Sequence, residues 1–500
     1  MGLALALRLL FLTVLIISSV HSSKAQSAPA DLVVINAKVR TMTTPDSVVQ
    51  ALAVNGNRIT AIGTTKLIKS FIGPSTRVID AGGRLVLPGF NDSHVHFMAI
   101  GNSFSSIDLR GAKSGAEMTE RIAHYARFLP KGRWILGGHF DNNNWELPSR
   151  KSLDAVSPDN PVFLYRSGAA AAFANTRAFE QAKLTVGVEG VDVSQTGEAT
   201  GLVRRTALKK LASVVPSNHV TNWPEVAETA TDYAASLGVT SVQDMHSDDS
   251  RSTYLELERK GKLKTRVYDC LPLRGWSKLK SSRLPAKPEA MVTDGCLKGF
   301  SDGDDEGKPG LLRDVMAGDS AGFQIMLHAI GASANHIALD VFEQALKTNG
   351  IRDRRFRVEH AHNVGEPDLP RFVRSNIIAS MQPFLFEGNR GSRFGTLLKQ
   401  KALVAFGSDA SMVDFNPLAG IHAAVNAGPE SIPVYDAVRA YTLGSAYAQF
   451  QEKEKGTIES GKLADFVILS DDVFAIDPEK IRDVKIVQTV VYGKVVYQAN

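Results

Sequence analysis

Leu87-Pro-Gly-Phe-Asn-Asp-Ser-His-Val-His96 is the stretch on which the fold and the chemistry of this chain turn. Residues i and i+2 of a strand share a side, so His94 and His96, after the apolar run Leu85–Phe90, can converge on one point. Converging imidazole nitrogens suit a divalent ion such as zinc. Four further polar residues each close a short apolar run: Lys298, His328, His360 and Asp409. Donors supplied by the ends of successive strands are what a parallel β/α barrel offers at its C-terminal face. The candidate metal ligands are therefore His94, His96, Lys298, His328, His360 and Asp409. Asp92, just before the pair, is a candidate for orienting one of the imidazoles.

Strand counting gives the barrel one run too many. The candidates are Leu85–Phe90, Val162–Tyr165, Val239–Val242, Thr265–Leu271, Cys296–Phe300, Gln324–His328, Phe356–His360, Ile377–Gln382 and Leu403–Ser408. Helical stretches separate them, which argues for a parallel sheet with crossover connections. An eight-stranded barrel has room for all but one of these nine. The flanks read differently. Short strands with tight turns fill the region up to Leu87, with a hairpin at Asn55-Gly56, and the same texture returns from Ala464 to Gln498. Neither flank is stable alone, so the two are expected to pair. The expected architecture is α/β: a composite β-sandwich from 26–87 plus 456–500, and a (β/α)8 barrel over 88–455.

The 500 residues, 44% hydrophobic and 22% charged with a net charge of +5, are ordinary for a globular enzyme and carry no basic run of the density nucleic acid requires. Residues 1–25 have the form of a secretory signal: Arg8, the apolar run Leu9–Val20, then small residues to Ala25. That run is too short to span a bilayer. Export, with cleavage before Gln26 and no membrane span afterwards, is the expectation. The two cysteines, Cys270 and Cys296, both fall in apparent strands, and buried unpaired thiols are expected there.

In ordered combination the motifs resemble the amidohydrolase superfamily, in the branch that includes N-substituted formamide deformylase-like enzymes. They are the His94/His96 stretch, Trp134 through Trp145 with Asp141, Leu237-Gly-Val-Thr-Ser-Val-Gln-Asp244, His328-Ala-Ile-Gly331, Val358-Glu-His-Ala-His362, Met381-Gln-Pro383, Gly407-Ser-Asp-Ala410, Tyr441-Thr442 and Gly456 through Phe466. The resemblance implies a metal-dependent hydrolase of carbon–nitrogen, non-peptide bonds in a small amide-like substrate. One or two divalent ions, zinc the first choice, would activate a water, and Asp409 would carry its proton to the leaving nitrogen. It also implies that Lys298 is a carbamylated bridging ligand; an ion pair with Asp302 is the plainer reading of that lysine. His246 and His362 read as polar rim residues. The chain departs from the branch where an acidic and a histidine position are occupied by Gly168 and Ala170, and where Ala332 follows Gly331. A metal-binding relative with weakened or no catalysis is therefore the alternative. Self-association into a homo-oligomer stays open.

Overall fold

Gly89 divides what looks like one apolar run into two strands of different sheets. A Cβ there would lie 2.2 Å from the Thr240 side chain, so the chain can pass this point only without one. Before it, Leu85–Pro88 pairs with Phe466–Leu469 near the other end of the chain. After it, Phe90–Val95 is fully buried and begins the barrel. The first barrel strand is thus Phe90–Val95 and not the expected Leu85–Phe90. The computed structural model describes residues 28–499, apart from 105, 143, 168–169, 217–221, 246–249, 282, 285–286, 389–390 and 411–413. The proposed signal segment, His246 and Gly168 lie outside the described residues.

The barrel strands, numbered in chain order, are β1 (Phe90–Val95), β2 (Val239–Met245), β3 (Arg266–Pro272), β4 (Val292–Ser301), β5 (Gln324–Ile330), β6 (Arg357–His362), β7 (Ile378–Met381) and β8 (Val404–Phe406). Each neighbour pair is parallel. Two backbone bonds close the ring between the β1 and β8 ends: Asp409 N–H donates to the His94 carbonyl at 2.8 Å, and His96 N–H to the Ala410 carbonyl at 2.7 Å. Val162–Arg166 is the strand that stands outside. It belongs to a six-stranded sheet inserted between β1 and β2, running from Ile107–Asp108 to Ala199–Arg204. Trp134, Phe163 and Phe179 pack in a separate core under that sheet.

Two further sheets form the sandwich. One joins Arg58–Gly63, Ala51–Asn55, Leu32–Ile35 and Arg77–Asp80; the other carries Lys38–Arg40 and Leu85–Pro88 beside Phe466–Leu469, Ile486–Val491 and Lys494–Gln498. Val34, Leu52, Val86, Phe466 and Val490 fill the space between them, so the two flanks complete one another's core. No helix among the described residues is long and apolar enough to cross a membrane.

Cys270 and Cys296 are bonded to each other, contrary to the expectation of free thiols. They occupy paired positions on β3 and β4, with Cα atoms 4.8 Å apart, within the range a disulfide requires. Separated by 26 positions in sequence, they are adjacent only because the two strands run parallel in this register.

Candidate active site

β1 carries His94 into the mouth of the barrel, and His96 follows at the start of the next helix, Phe97–Ser103. From β8 the chain delivers Asp409 opposite them. Its carboxylate Oδ1 lies 3.5 Å from His94 Nε2 and 3.4 Å from His96 Nε2. Ligand atoms of these three residues all lie within 4.8 Å of one another.

The far side of each ring fixes which nitrogen is open. His94 Nδ1 is 2.5 Å from Glu359 Oε2, and His96 Nδ1 is 2.6 Å from the Met245 carbonyl oxygen. Both partners only accept, so each Nδ1 carries the proton, and each Nε2 is turned toward Asp409 and offers a lone pair there when its ring is neutral. Three electron-pair donors facing one point are stable together only with positive charge between them. The donor set therefore fits a divalent metal.

For His94 and His360 the electrostatics favour the neutral ring. Burial pushes His94 down to about 4 and His360 well below the ordinary histidine value, so both rings are neutral near pH 7. His96 is raised, chiefly by its contact with Asp409. Burial pulls Asp409 upward, but the His96 contact and the neighbouring imidazoles hold it below the usual aspartate value.

Glu359 and Arg357 are the partners that sequence reading missed. Arg357, fully buried, donates from Nε to Glu359 Oε1 at 2.7 Å and from Nη2 to the Ser93 carbonyl at 2.6 Å; it also meets Gln243. Burial works against the Glu359 charge, but Arg357 and His94 outweigh it and hold the carboxyl well below its ordinary range. In a regular strand, consecutive residues face opposite sides. Here His360 and Ala361 adopt φ of 71° and 43°, left-handed values that non-glycine residues rarely take. Glu359 can thereby hold the His94 ring from behind while the His360 ring sits 4.8 Å from it, centroid to centroid. Asp409, at φ 58°, is a third such residue; clustered strain of this kind is characteristic of functional sites. The Glu-His step was the available signal in the sequence.

Asp92 acts on backbone and not on a ring. Its carboxylate accepts from His94 N–H at 3.0 Å and from Ser408 N–H at 3.1 Å, clamping the β1 end to the β8 end. Burial pushes it up to about 7.

The remaining candidates lie beside the triad. His360 Nδ1 pairs with Gln382 Oε1 at 2.8 Å and lies 4.0 Å from Asp409 Oδ2. His328 is next, its ring 4.5 Å from that of His360. Lys298 is buried, and burial lowers its ammonium to about 8. Its Nζ lies 4.7 Å from the centre of the Phe300 ring. Among the described residues no carboxylate pairs with it, so the structure does not show the Asp302 ion pair.

Fold and donor set together define a β/α-barrel protein that gathers imidazole and carboxylate donors at the C-terminal mouth. A sequence model of the amidohydrolase family matches residues 77–497. The protein LONG AFTER FAR-RED 3 of Arabidopsis thaliana is 31% identical across 94% of this chain and 92% of its own. N-substituted formamide deformylase of Arthrobacter pascens is 26% identical across 94% and 98%. The crystal structure of an uncharacterized metal-dependent hydrolase from Pyrococcus horikoshii superposes with a TM-score of 0.62 and 26% identity, covering 89% of this chain and 99% of that one. The chain belongs to the amidohydrolase family, and that membership together with its hydrolase relatives supports metal-dependent hydrolysis of carbon–nitrogen bonds.

Proposed function

We propose that the protein hydrolyses a non-peptide amide bond of a small molecule at the His94–His96–Asp409 site. The observation that carries this reading is the convergence of two tautomer-fixed Nε2 atoms and one carboxylate at the barrel mouth. A divalent ion, zinc by preference, would supply a Lewis acid and lower the pKa of a water there. His94, His96 and Asp409 would hold it, with His360 and His328 completing the set, and a carbamylated Lys298 would join a second ion. Asp409 takes the proton from the attacking water and passes it to the leaving nitrogen. Glu359 keeps its proton-accepting face on His94 Nδ1, so the ring cannot swing away while this happens.

A weakened or non-catalytic relative is the second reading. Ala170 and Ala332, small apolar residues where the resembling branch has polar ones, favour it. The two separate in one experiment. Metal-reconstituted protein is assayed against N-formyl and N-acyl amines and aryl esters, with metal content measured and His94→Ala as the blank. Turnover above the blank supports hydrolysis. Full metal loading with no turnover on any of them leaves the second reading.

Export is part of the same proposal. A disulfide joining two buried strands suits a protein that folds in an oxidising compartment, and Cys270–Cys296 is such a bond. N-terminal sequencing of the secreted fraction should begin near Gln26; an intact Met1 on membrane-bound protein would refute cleavage.

A further inference from the structure

Beside the triad, on the same face of the barrel, lies a cavity of about 330 Å³. His96 and Lys298 stand at its reactive end, and Met98, Trp223, Met245 and Phe300 supply much of its apolar wall. Two of these are large rings left in the open: Phe300 is 58% exposed and Trp223 41%. Phe300 is the one exposed position of β4, a ten-residue strand. By strand alternation it follows Cys296 and Lys298 on the inward side, so its ring is turned to the mouth and not to the outer helices. There it covers the Lys298 ammonium and lies 5.4 Å from the His328 ring. Trp223 comes from an unrelated element, the first turn of the helix Trp223–Ser236 that leads into β2. Exposed rings from two elements that meet in one cavity are not explained by core packing; gathered apolar surface of this kind marks a binding site.

We propose that Phe300 and Trp223 clamp a flat, uncharged, aromatic group attached to the scissile amide, and so set the substrate class. This rests on the hydrolytic reading of the triad. Of the charged side chains that line the cavity, Lys298 sits beneath the Phe300 ring, and Asp244 accepts from Phe97 N–H at 2.7 Å and from the Tyr254 hydroxyl at 2.6 Å, so neither presents an open charge to a ligand. The cavity has room for an aryl ring with a short linker. An aryl group seated there gains both burial and ring-to-ring contact.

The test uses sulfonamide analogues, which lack a hydrolysable carbonyl, so that binding is read apart from chemistry. N-phenylmethanesulfonamide and N-methylmethanesulfonamide are titrated by calorimetry into metal-loaded wild type, Trp223→Ala and Phe300→Leu. The phenyl compound should bind wild type about tenfold more tightly, and each variant should lose most of that preference. The Trp223 variant matters most, because Phe300 also touches Lys298 and His328. Equal binding of the two compounds to wild type overturns the clamp, as does a preference that survives both substitutions. Turnover of N-phenylacetamide is followed in parallel. A clamp that binds selectively in a protein that hydrolyses nothing upholds the aromatic site and sinks the hydrolytic reading alone.

Discussion

The two ends of the barrel both bury charge, and they treat it in opposite ways. At the floor, where the sandwich sits under β2 and β3, the central ion pair is answered within the fold. Arg266 donates from Nε and Nη2 to the two oxygens of Asp465, at 2.5 and 3.2 Å, and from Nη1 to the Glu289 carbonyl at 2.8 Å. Asp465 also accepts from Tyr492 N–H at 2.8 Å, and its own carbonyl accepts from Gly89 N–H at 3.0 Å. Lys455 reaches Ser241 on β2. At the mouth, Glu359, Arg357 and the Met245 carbonyl saturate only the backs of the histidines. The fronts are left facing one another and Asp409 beside a cavity. Saturated charge ties parts of a fold together, whereas half-saturated charge is available for chemistry. In barrels of this kind the mouth carries catalysis and the opposite face stability.

The sharpest way to break this comparison is at the mouth. Asp409→Asn should cost about a thousandfold or more in kcat, since it removes a proton acceptor and an anionic donor at once. The circular dichroism spectrum and melting temperature should stay near wild type, because Asp409 is only partly buried. A collapse of the fold would place Asp409 with the structural charges. Glu359→Gln is a smaller change at the same end. It weakens the hold on His94 Nδ1 and should lower metal affinity by roughly 10–100-fold, read by competition with a chromogenic chelator. Unchanged affinity would mean that Glu359 serves Arg357 and not the histidine.

The floor should answer in the other currency. Asp465→Asn leaves Arg266 buried without its counter-charge and should destabilise the protein by about 3 kcal/mol, while kcat of the surviving folded fraction stays close to wild type. Thermal unfolding and active-site-normalised rates on one preparation decide it. A loss of kcat with stability intact would show that the floor reaches the chemistry.

How much of this was legible in the sequence follows from the range of the interactions. The parallel barrel, the composite sandwich and the His94, His96 and Asp409 positions were readable, because strand ends and periodicity are local. The split of the first run at Gly89 was not, since its cause is Thr240, distant in sequence. Nor was the Cys270–Cys296 bond, which depends on register between two strands. The ninth strand could be counted but not assigned, because nothing local distinguishes an inserted sheet from a barrel strand. Glu359 was in plain view within Val358-Glu-His, yet its role needs the left-handed step at His360, which no residue type there announces. The Gly456–Phe466 motif reads in the sequence only as a family signature. Its Asp465 proves to be a latch between sandwich and barrel, at the end opposite the candidate ligands.

The smallest expected effect tests whether the floor's saturation extends to Lys455. This side chain is buried against Ser241, and burial, helped by the positive field of Arg266, lowers it to about 7; Asp465 opposes the shift. Its folded value therefore lies below the ordinary lysine value of 10.5. Between these two values the unfolded chain holds a proton that the folded chain has released, so this group's contribution to stability rises with pH through that window. Below about pH 7 the lysine is charged in both states, and the full cost of burying that charge is present. Lys455→Met removes the charge and keeps the length of the side chain. It should be more stable than wild type near pH 6.5, with the gap narrowing by on the order of 2 kcal/mol as pH rises to 9.5. Chemical denaturation of both proteins across that range measures the gap directly. A gap that stays constant or widens with pH would show that Ser241 and Asp465 fully compensate the ammonium, and that Lys455 is charged in the fold like the rest of the floor.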